Sequence, residues 1–316
     1  MADRFLLADV GGTNTRVGLG GAQGLDPVSV QSFRNADHSG LSSIVATYIG
    51  QFPGPVTAVC AGVAGPVRDG HAQLTNVDWF IDGQELKEAT GARSVHLFND
   101  LQVQGYALDD LPSDSVISLF KGAVAPAGAT RLVMGLGTGC NIAVVHRTAQ
   151  GLRVPPSETG HTSLPYMEGD AGALIGHLSQ THYHKPIEAA LSGPGLSRIF
   201  RYLSGDTLPA AEIIDCHRRG DIDATDALAL FTEILGVVAG NIALAHLPMG
   251  GLYFIGGTAR AVAPYLAALG FLEHFTAKGP YTPIMREIPI RLVDDDFAAL
   301  RGCARYLLQS ASGRLG

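Results

Sequence analysis

Short apolar runs broken by glycine turns recur along this 316-residue chain. Phe5-Leu6-Leu7-Ala8 and Val17-Gly18-Leu19 flank Asp9-Val10-Gly11-Gly12-Thr13-Asn14-Thr15-Arg16. That pattern predicts two short strands joined by a turn of residues that tolerate positive φ and tight reversal. A third strand is expected at 28–33. The spacing of Leu41, Ile44, Val45, Tyr48 and Ile49 predicts a helix over 39–52, stopped by Pro53-Gly54-Pro55. Residues 56–61 read as a strand running into a glycine-broken loop at 62–67. Residues 82–90 read as a helix capped by Asp82 and closed by Gly91, and 95–98 as a strand ending on Asn99-Asp100.

A second half opens at Arg131, where residues 132–145 repeat the first pattern: apolar strand, glycine-threonine turn, apolar strand. Laid over residues 6–19, Gly11 falls on Gly137 and the turn becomes Gly137-Thr138-Gly139. Self-similarity at this distance predicts duplicated lobes, whose two turns would grip a polyphosphate from both sides. Later come a glycine-proline loop at 191–195, a long apolar helix at 227–247, and a strand at 252–255. That strand ends on Gly256-Gly257-Thr258, with a helix expected from Ala261. The lobe boundaries are expected in turns near 108–114 and 294–296, giving a small lobe of 1–110 plus 296–316 and a large lobe of 111–295.

Composition narrows the class. Hydrophobic residues make up 46% of the chain, enough for sizeable cores. A net charge of −7 argues against nucleic acid and anionic membrane as partners. Four scattered cysteines with no CxxC pair read as reduced thiols in a cytosolic protein. No leader is expected, because no basic region is followed by an apolar run and a cleavage site. The stretch 227–247 holds Thr232, Glu233, Asn241 and His246, so it reads as a core helix rather than a membrane span.

Candidate chemistry is sparse, which helps. There is no GxxxxGK[ST], no GxSxG and no HExxH. The first turn reads either as an ordinary hairpin or as a backbone cradle for phosphate, with Asp9 placed to take magnesium or its waters. Asn99-Asp100 reads either as a helix cap or as an orienting amide beside the base that phosphoryl transfer to an alcohol needs. Glu158-Thr159-Gly160-His161 follows two prolines, so it is a loop that can hydrogen-bond several sugar hydroxyls, not a helical metal pair. His182-Tyr183-His184 reads as surface, and Glu188 means little in isolation.

Taken in order, these pieces resemble the proteobacterial-type glucokinases, hexokinase relatives in the actin-like ATPase superfamily. The matching residues are DVGGTNTR at 9–16, AGPV at 64–67, LTNVDW at 74–79 and FND at 98–100. GTG at 137–139, ETGH at 158–161, EAALSGPGL at 188–196 and Gly256-Gly257 follow. The resemblance spans nearly the whole chain, and the zinc-binding cysteine cluster of the ROK sugar kinases is absent.

The resemblance implies an α/β, two-lobed ribonuclease-H-like fold with mixed sheets and an interlobe cleft. It implies an enzyme that phosphorylates glucose at the 6-hydroxyl with ATP and magnesium, with Asp100 as general base. Asn99, Asp100, Glu158, His161 and Glu188 are then the sugar-binding residues. Asp9, Gly11, Gly12, Thr13 and Asn14 form the first phosphate turn, with Asp9 at the magnesium; Gly137, Thr138 and Gly139 form the second, and Gly256 and Gly257 contact adenosine. Closure on glucose and a homodimer are also implied. A kinase for another hexose or donor, or a catalytically weak sugar-binding protein, are the alternatives.

Two departures stand out. Relatives often carry Leu-Gly where this chain has Cys140-Asn141; because Asn tolerates positive φ the backbone is expected to survive, with the side chain either touching phosphate or crowding it. Arg301 stands where relatives carry a small or apolar residue, and the sequence offers no reason for it.

Overall fold

The computed structural model describes residues 3–74 and 78–312, so residues 75–77 of the LTNVDW motif lie outside the described residues. In chain order, the first elements are β1 (Phe5–Val10), β2 (Asn14–Gly21), β3 (Gly24–Arg34), α1 (Leu41–Gln51) and β4 (Ala58–Val63). A small sheet follows, of β5 (Val67–Arg68), β6 (His71–Gln73) and β7 (Phe80–Asp82). Then come α2 (Gly83–Thr90), β8 (Ser94–Asn99) and α3 (Asp100–Ala107). The middle of the chain contains β9 (Val116–Phe120), β10 (Arg131–Leu136), β11 (Cys140–Thr148), β12 (Gly151–Arg153) and α4 (Gly169–Leu178). After it run α5 (Ile187–Ala190), α6 (Gly193–Ser204), α7 (Ala210–Arg218), α8 (Ile222–His246), β13 (Gly251–Ile255) and α9 (Gly257–Val262). The last elements are α10 (Phe271–Thr276), α11 (Thr282–Glu287), β14 (Ile290–Val293) and α12 (Ala298–Ala311).

The chain divides into two compact units, one of 1–113, 147–156 and 295–316, the other of 114–146 and 157–294. The sequence reading left 147–156 in the large lobe. It belongs with the first unit because Gln309 Oε1 accepts from Leu152 N at 2.7 Å and Gln102 Nε2 donates to the Val154 carbonyl at 3.0 Å.

In the first unit the sheet order is β3-β2-β1-β4-β8, antiparallel through the hairpin and parallel from β1 to β8. Alternation sends Leu6, Ala8, Val10, Val59, Ala61 and Val63 into one core with α1 and α2. Phe5, Leu7, Ala58 and Cys60 enter the other, with Val103 of α3 and Cys303, Ala304 and Leu307 of α12. Being covered on both faces, β1 and β4 are apolar throughout, apart from Asp9 at the end of β1. Arg301 gains a reason here: its Nε lies 2.6 Å from Asp295 Oδ2, while Asp295 Oδ1 accepts from Phe297 N. The pair ties α12 to the turn that starts it.

The second unit repeats the plan. Its strands run in the order β11-β10-β13-β14-β9, again an antiparallel hairpin followed by parallel β13 and β14. The edge strand β12 follows the end of β11, where Thr148 Oγ1 donates to the Gly151 carbonyl at 3.0 Å. The overlay of the two hairpins holds along the first strands and then slips by one residue. Val10 pairs with Thr15 but Leu136 pairs with Cys140, so the second turn is one residue shorter. Cys140 therefore takes the inward, buried position that Thr15 holds in the first hairpin.

Helix α8 has the length and apolarity of a membrane span, but 67% of that stretch is buried in the second unit's core. Added Cβ atoms at Gly236 and Gly240 would lie 2.6 Å from His274 Cβ and 2.5 Å from the Phe275 carbonyl oxygen. The two glycines thus let α10 lie directly on α8.

Three local expectations change. The stretch 191–195 is not a loop: Ser192 caps α6, accepting from Gly195 N at 2.9 Å, with Pro194 in the first turn, where its missing N–H costs nothing. Helix α9 starts at Gly257, not Ala261. The third strand begins four residues earlier than expected.

Candidate active site

In the first unit the parallel strands end at one edge, where Val10, Val63 and Asn99 follow one another across β1, β4 and β8, with Asp9 and Gly62 paired one residue before. Asn99 is both the last residue of β8 and the cap of α3. Its Oδ1 accepts from Leu101 N at 3.0 Å, and its own N–H donates to Gln102 Oε1 at 3.1 Å. Its Nδ2 donates to the Gly65 carbonyl at 3.3 Å, leaving a second N–H for a ligand. Asp100 is the first helical residue, and its carboxylate accepts from Leu101 N at 2.8 Å. The cap is therefore Asn99, and the candidate base, Asp100, is the residue after it. Gly62 permits this: a Cβ there would lie 2.5 Å from Val103 and 3.4 Å from Asp100 Cα.

The first glycine turn is fastened by Asn35, which is 2% exposed. Its Nδ2 donates to the Gly11 carbonyl at 2.7 Å, its Oδ1 accepts from Thr15 Oγ1 at 2.8 Å, and its N–H donates to the Thr13 carbonyl at 2.9 Å. Gly11 N closes the turn onto the Asn14 carbonyl at 3.0 Å. Asp9 faces Arg16 across the hairpin, Oδ2 to Nη1 3.4 Å. Burial pushes the Asp9 carboxyl up, and Arg16 pulls it back by charge and hydrogen bond.

The second turn is fastened in the same way. Gly137 N donates to the Gly139 carbonyl at 2.9 Å, and the Gly137 carbonyl accepts from Gly193 N at 2.8 Å and Thr258 Oγ1 at 3.0 Å. The start of α6 and the start of α9 thus both dock on Gly137. Gly256, at φ +105°, packs where a Cβ would overlap the Leu136 carbonyl. Gly11, Gly137 and Gly139 are not left-handed, so the positive φ that glycine tolerates is not what these turns use it for. A Cβ on Gly137 or Gly257 would meet no protein atom within 4 Å. Their glycine character leaves backbone N–H groups open to a ligand. The N–H groups of Gly12, Thr13, Thr138 and Gly139 have no acceptor among the described residues.

The expected sugar-binding residues of the second unit come together around this turn. Glu158 precedes a single 3-10 turn, Thr159–His161, closed by His161 N donating to the Glu158 carbonyl. A short pairing of Thr162 and Leu164 with Ile187 and Lys185 brings in α5 and Glu188. His161 Nδ1 lies 3.6 Å from Glu188 Oε1, and a Cβ on Gly139 would lie 3.1 Å from Glu188 Oε2. A Cβ on Gly160 would overlap the Cys140 carbonyl oxygen, so the Glu158–His161 turn rests on the backbone of the phosphate turn. Partial desolvation raises the Glu158 carboxyl; His161 lowers it and Glu188 raises it. Cys140 points into the core, and burial followed by the Glu188 charge pushes its thiol up to about 12. Asn141 lies in extended β11, not in a left-handed turn, and its amide reaches Glu158.

Tyr183 and His184 are exposed, and among the described residues no cluster of three metal-ligating side chains occurs. Sequence reasoning missed Asn35, Thr258 and Gly193. Asn35 acts over 24 residues with no local signal, whereas the Ser-Gly-Pro-Gly run did encode a helix start.

Known proteins resemble this chain over nearly its whole length. A glucokinase from Pectobacterium atrosepticum is 31% identical, covering 98% of each chain. The crystal structure of a glucokinase from an Antarctic psychrotroph is 31% identical, covers 97% of this chain and 99% of that one, and superposes with a TM-score of 0.85. A glucokinase from Balamuthia mandrillaris, solved in complex with glucose, has the same fold at 20% identity and TM-score 0.78, covering 98% and 94%. The architecture is the mixed-sheet α/β fold of the actin-like sugar kinases. A family model described as Glucokinase matches residues 6–310, and the chain belongs to that family of sugar-phosphorylating enzymes.

Proposed function

We propose that this protein transfers the γ-phosphoryl group of ATP to the 6-hydroxyl of glucose. The observation that carries the reading is the seating of the Glu158–His161 turn on Cys140 and of Glu188 against Gly139, at the end of the Gly137–Gly139 turn. A site for several hydroxyls and a site for phosphate thereby share one backbone. In this reading Glu158, His161 and Glu188 hold ring hydroxyls, and Asn99 orients the sugar with its remaining N–H. The Asp100 carboxylate takes the proton of the 6-hydroxyl as that oxygen bonds to the γ-phosphorus and the bond to ADP breaks. The open N–H groups at Gly12, Thr13, Thr138 and Gly139 receive phosphate oxygens, and Gly256-Gly257 lies beside the adenosine.

Asp9 is a single carboxylate already shared with Arg16, which fits magnesium carried on the nucleotide rather than a resident metal cage. Bound there, magnesium supplies charge neutralisation at the phosphates. Catalysis otherwise rests on positioning and on fixed dipoles. With its cysteines free, the protein fits a cytosolic setting, and the family resemblance extends the reading to a homodimer, to be checked by light scattering.

The test is ATP-dependent phosphorylation of glucose by the purified protein, run against a panel of hexoses and donors. A faster turnover of mannose or fructose reassigns the sugar, and a faster turnover with polyphosphate reassigns the donor. Glucose-stabilised melting with no turnover makes the protein a sugar binder.

A further inference from the structure

Asn141 stands at the start of β11, paired with Gly135, and every polar group of its amide is committed to the backbone or to the sugar loop. Oδ1 accepts from Ile142 N at 2.8 Å. One Nδ2 hydrogen goes to the Ser157 carbonyl at 2.6 Å, the other to Glu158 Oε2 at 3.2 Å. Two bonds thus fix the residue that enters the turn and the carboxylate that the turn presents. The side chain has no donor left for phosphate.

We propose that Asn141 is a positioning residue for sugar selection, holding the Glu158 carboxylate ionised and in one orientation, with Oε1 left to accept from a single sugar hydroxyl. The inference rests on the kinase reading of the site.

The physical reason lies in the groups around Glu158. His161 follows three residues on, and Glu188 approaches from α5 with a charge of the same sign. Partial desolvation and Glu188 both favour the protonated form, which donates instead of accepting and so mismatches a sugar hydroxyl that must donate. An amide donor offsets both, because a hydrogen bond to the charged form favours that form. It also removes the freedom of a half-exposed carboxylate to turn away. Without Asn141, the loop keeps its backbone seat at Gly160 but loses the orientation of its acceptor.

The experiment uses the full chain and measures kcat and KM for glucose and for ATP from pH 5 to 9 in Asn141→Ala and Asn141→Asp. Asn141→Asp keeps the shape but places a charge against Glu158, so it serves even if the alanine variant folds poorly. Asn141→Ala should raise the glucose KM by roughly tenfold, the scale of one lost charge-assisted hydrogen bond, with the ATP KM within about twofold. The acid limb of kcat/KM for glucose should move to higher pH, and further in Asn141→Asp than in Asn141→Ala. In a Glu158→Gln background neither substitution should move it. An active wild type whose glucose KM and acid limb ignore both substitutions overturns the role, as does a change in ATP KM instead. A wild type that phosphorylates no hexose overturns the kinase reading itself, and the inference with it.

Discussion

Arg16 sits directly opposite Asp9 on the opening hairpin, with Nη1 3.4 Å from Oδ2. The arginine does two jobs for a carboxylate that burial pushes up: it pulls the carboxyl back down and fixes its direction. Arg16→Leu should therefore raise the Asp9 pKa further, because the one close opposite charge is gone. Because a nucleotide-borne cation needs the ionised form, the apparent affinity for magnesium-ATP should weaken most on the acid side. Titrating ATP KM against pH in wild type and Arg16→Leu checks this. A variant whose ATP KM follows the wild-type curve while glucose KM shifts contradicts the assignment.

Gly137 and Gly160 make a pair of opposite tests. A Cβ at Gly137 meets no protein atom within 4 Å, whereas one at Gly160 overlaps the Cys140 carbonyl. Gly137→Ala should keep thermal stability within about 0.5 kcal/mol. It should raise ATP KM by roughly 10–200-fold, the usual cost of one extra carbon in a filled site. Gly160→Ala should destabilise by about 3 kcal/mol, since backbone must move to admit the methyl. Calorimetry on both variants, with ATP kinetics on the first, separates the two. Equal losses of stability would mean that Gly137 serves packing and not a ligand.

Much of the fold was legible because local signals and tertiary demands coincided. Asp82 and Gly91 bound α2 as their chemistry dictates, Asp82 accepting from Gln84 N and Gly91 adopting φ +67°. The stretch 191–195 shows the opposite case, in which glycine and proline looked like breakers. Position decides their meaning: after a capping Ser192, a proline in the first turn starts a helix. The one-residue slip between the hairpins was hidden because the two glycine-threonine turns lie over one another at Gly11 and Gly137, and only the strand pairing shows the second to be shorter. Asn141 was visible as a departure but not as a partner of Glu158, because that contact bridges a strand and a loop 17 residues apart.

Asp100 begins α3 with Asn99 and Gln102 closing a capping box behind it. Asp100→Ala should lower kcat by roughly 10²–10⁴-fold, the worth of one positioned base. The cap remains on Asn99, so the melting temperature should change little. Near-normal kcat in a folded variant would remove Asp100 from the base role. Asn99→Ala should do the reverse in part, costing about 1 kcal/mol of stability through the lost cap, with glucose KM rising.

Glu158 gives the pH prediction, and its sign follows from the direction of its shift. Partial desolvation and Glu188 outweigh His161, so the folded carboxyl lies above its unfolded value of 4.5. A raised carboxyl contributes stability that is fully present below 4.5 and lost as pH rises through the folded value. At neutral pH the free enzyme therefore carries an ionised Glu158 at a cost, which protonation relieves. Glu158→Gln removes that cost without changing shape, so at pH 7.5 the variant should melt above wild type in the absence of sugar. The difference should narrow as pH falls towards 4.5, where wild-type Glu158 takes up its proton. On the proposed role of Glu158, glucose should reverse the order, because a donating hydroxyl bonds to the ionised form. Sugar-induced stabilisation should be large in wild type at neutral pH, fade towards acid, and be small in Glu158→Gln throughout. Differential scanning calorimetry of both proteins from pH 4.5 to 8, with and without glucose, measures all three. If Glu158→Gln melted below wild type at neutral pH without sugar, the carboxylate would be stabilising the fold rather than waiting for a ligand.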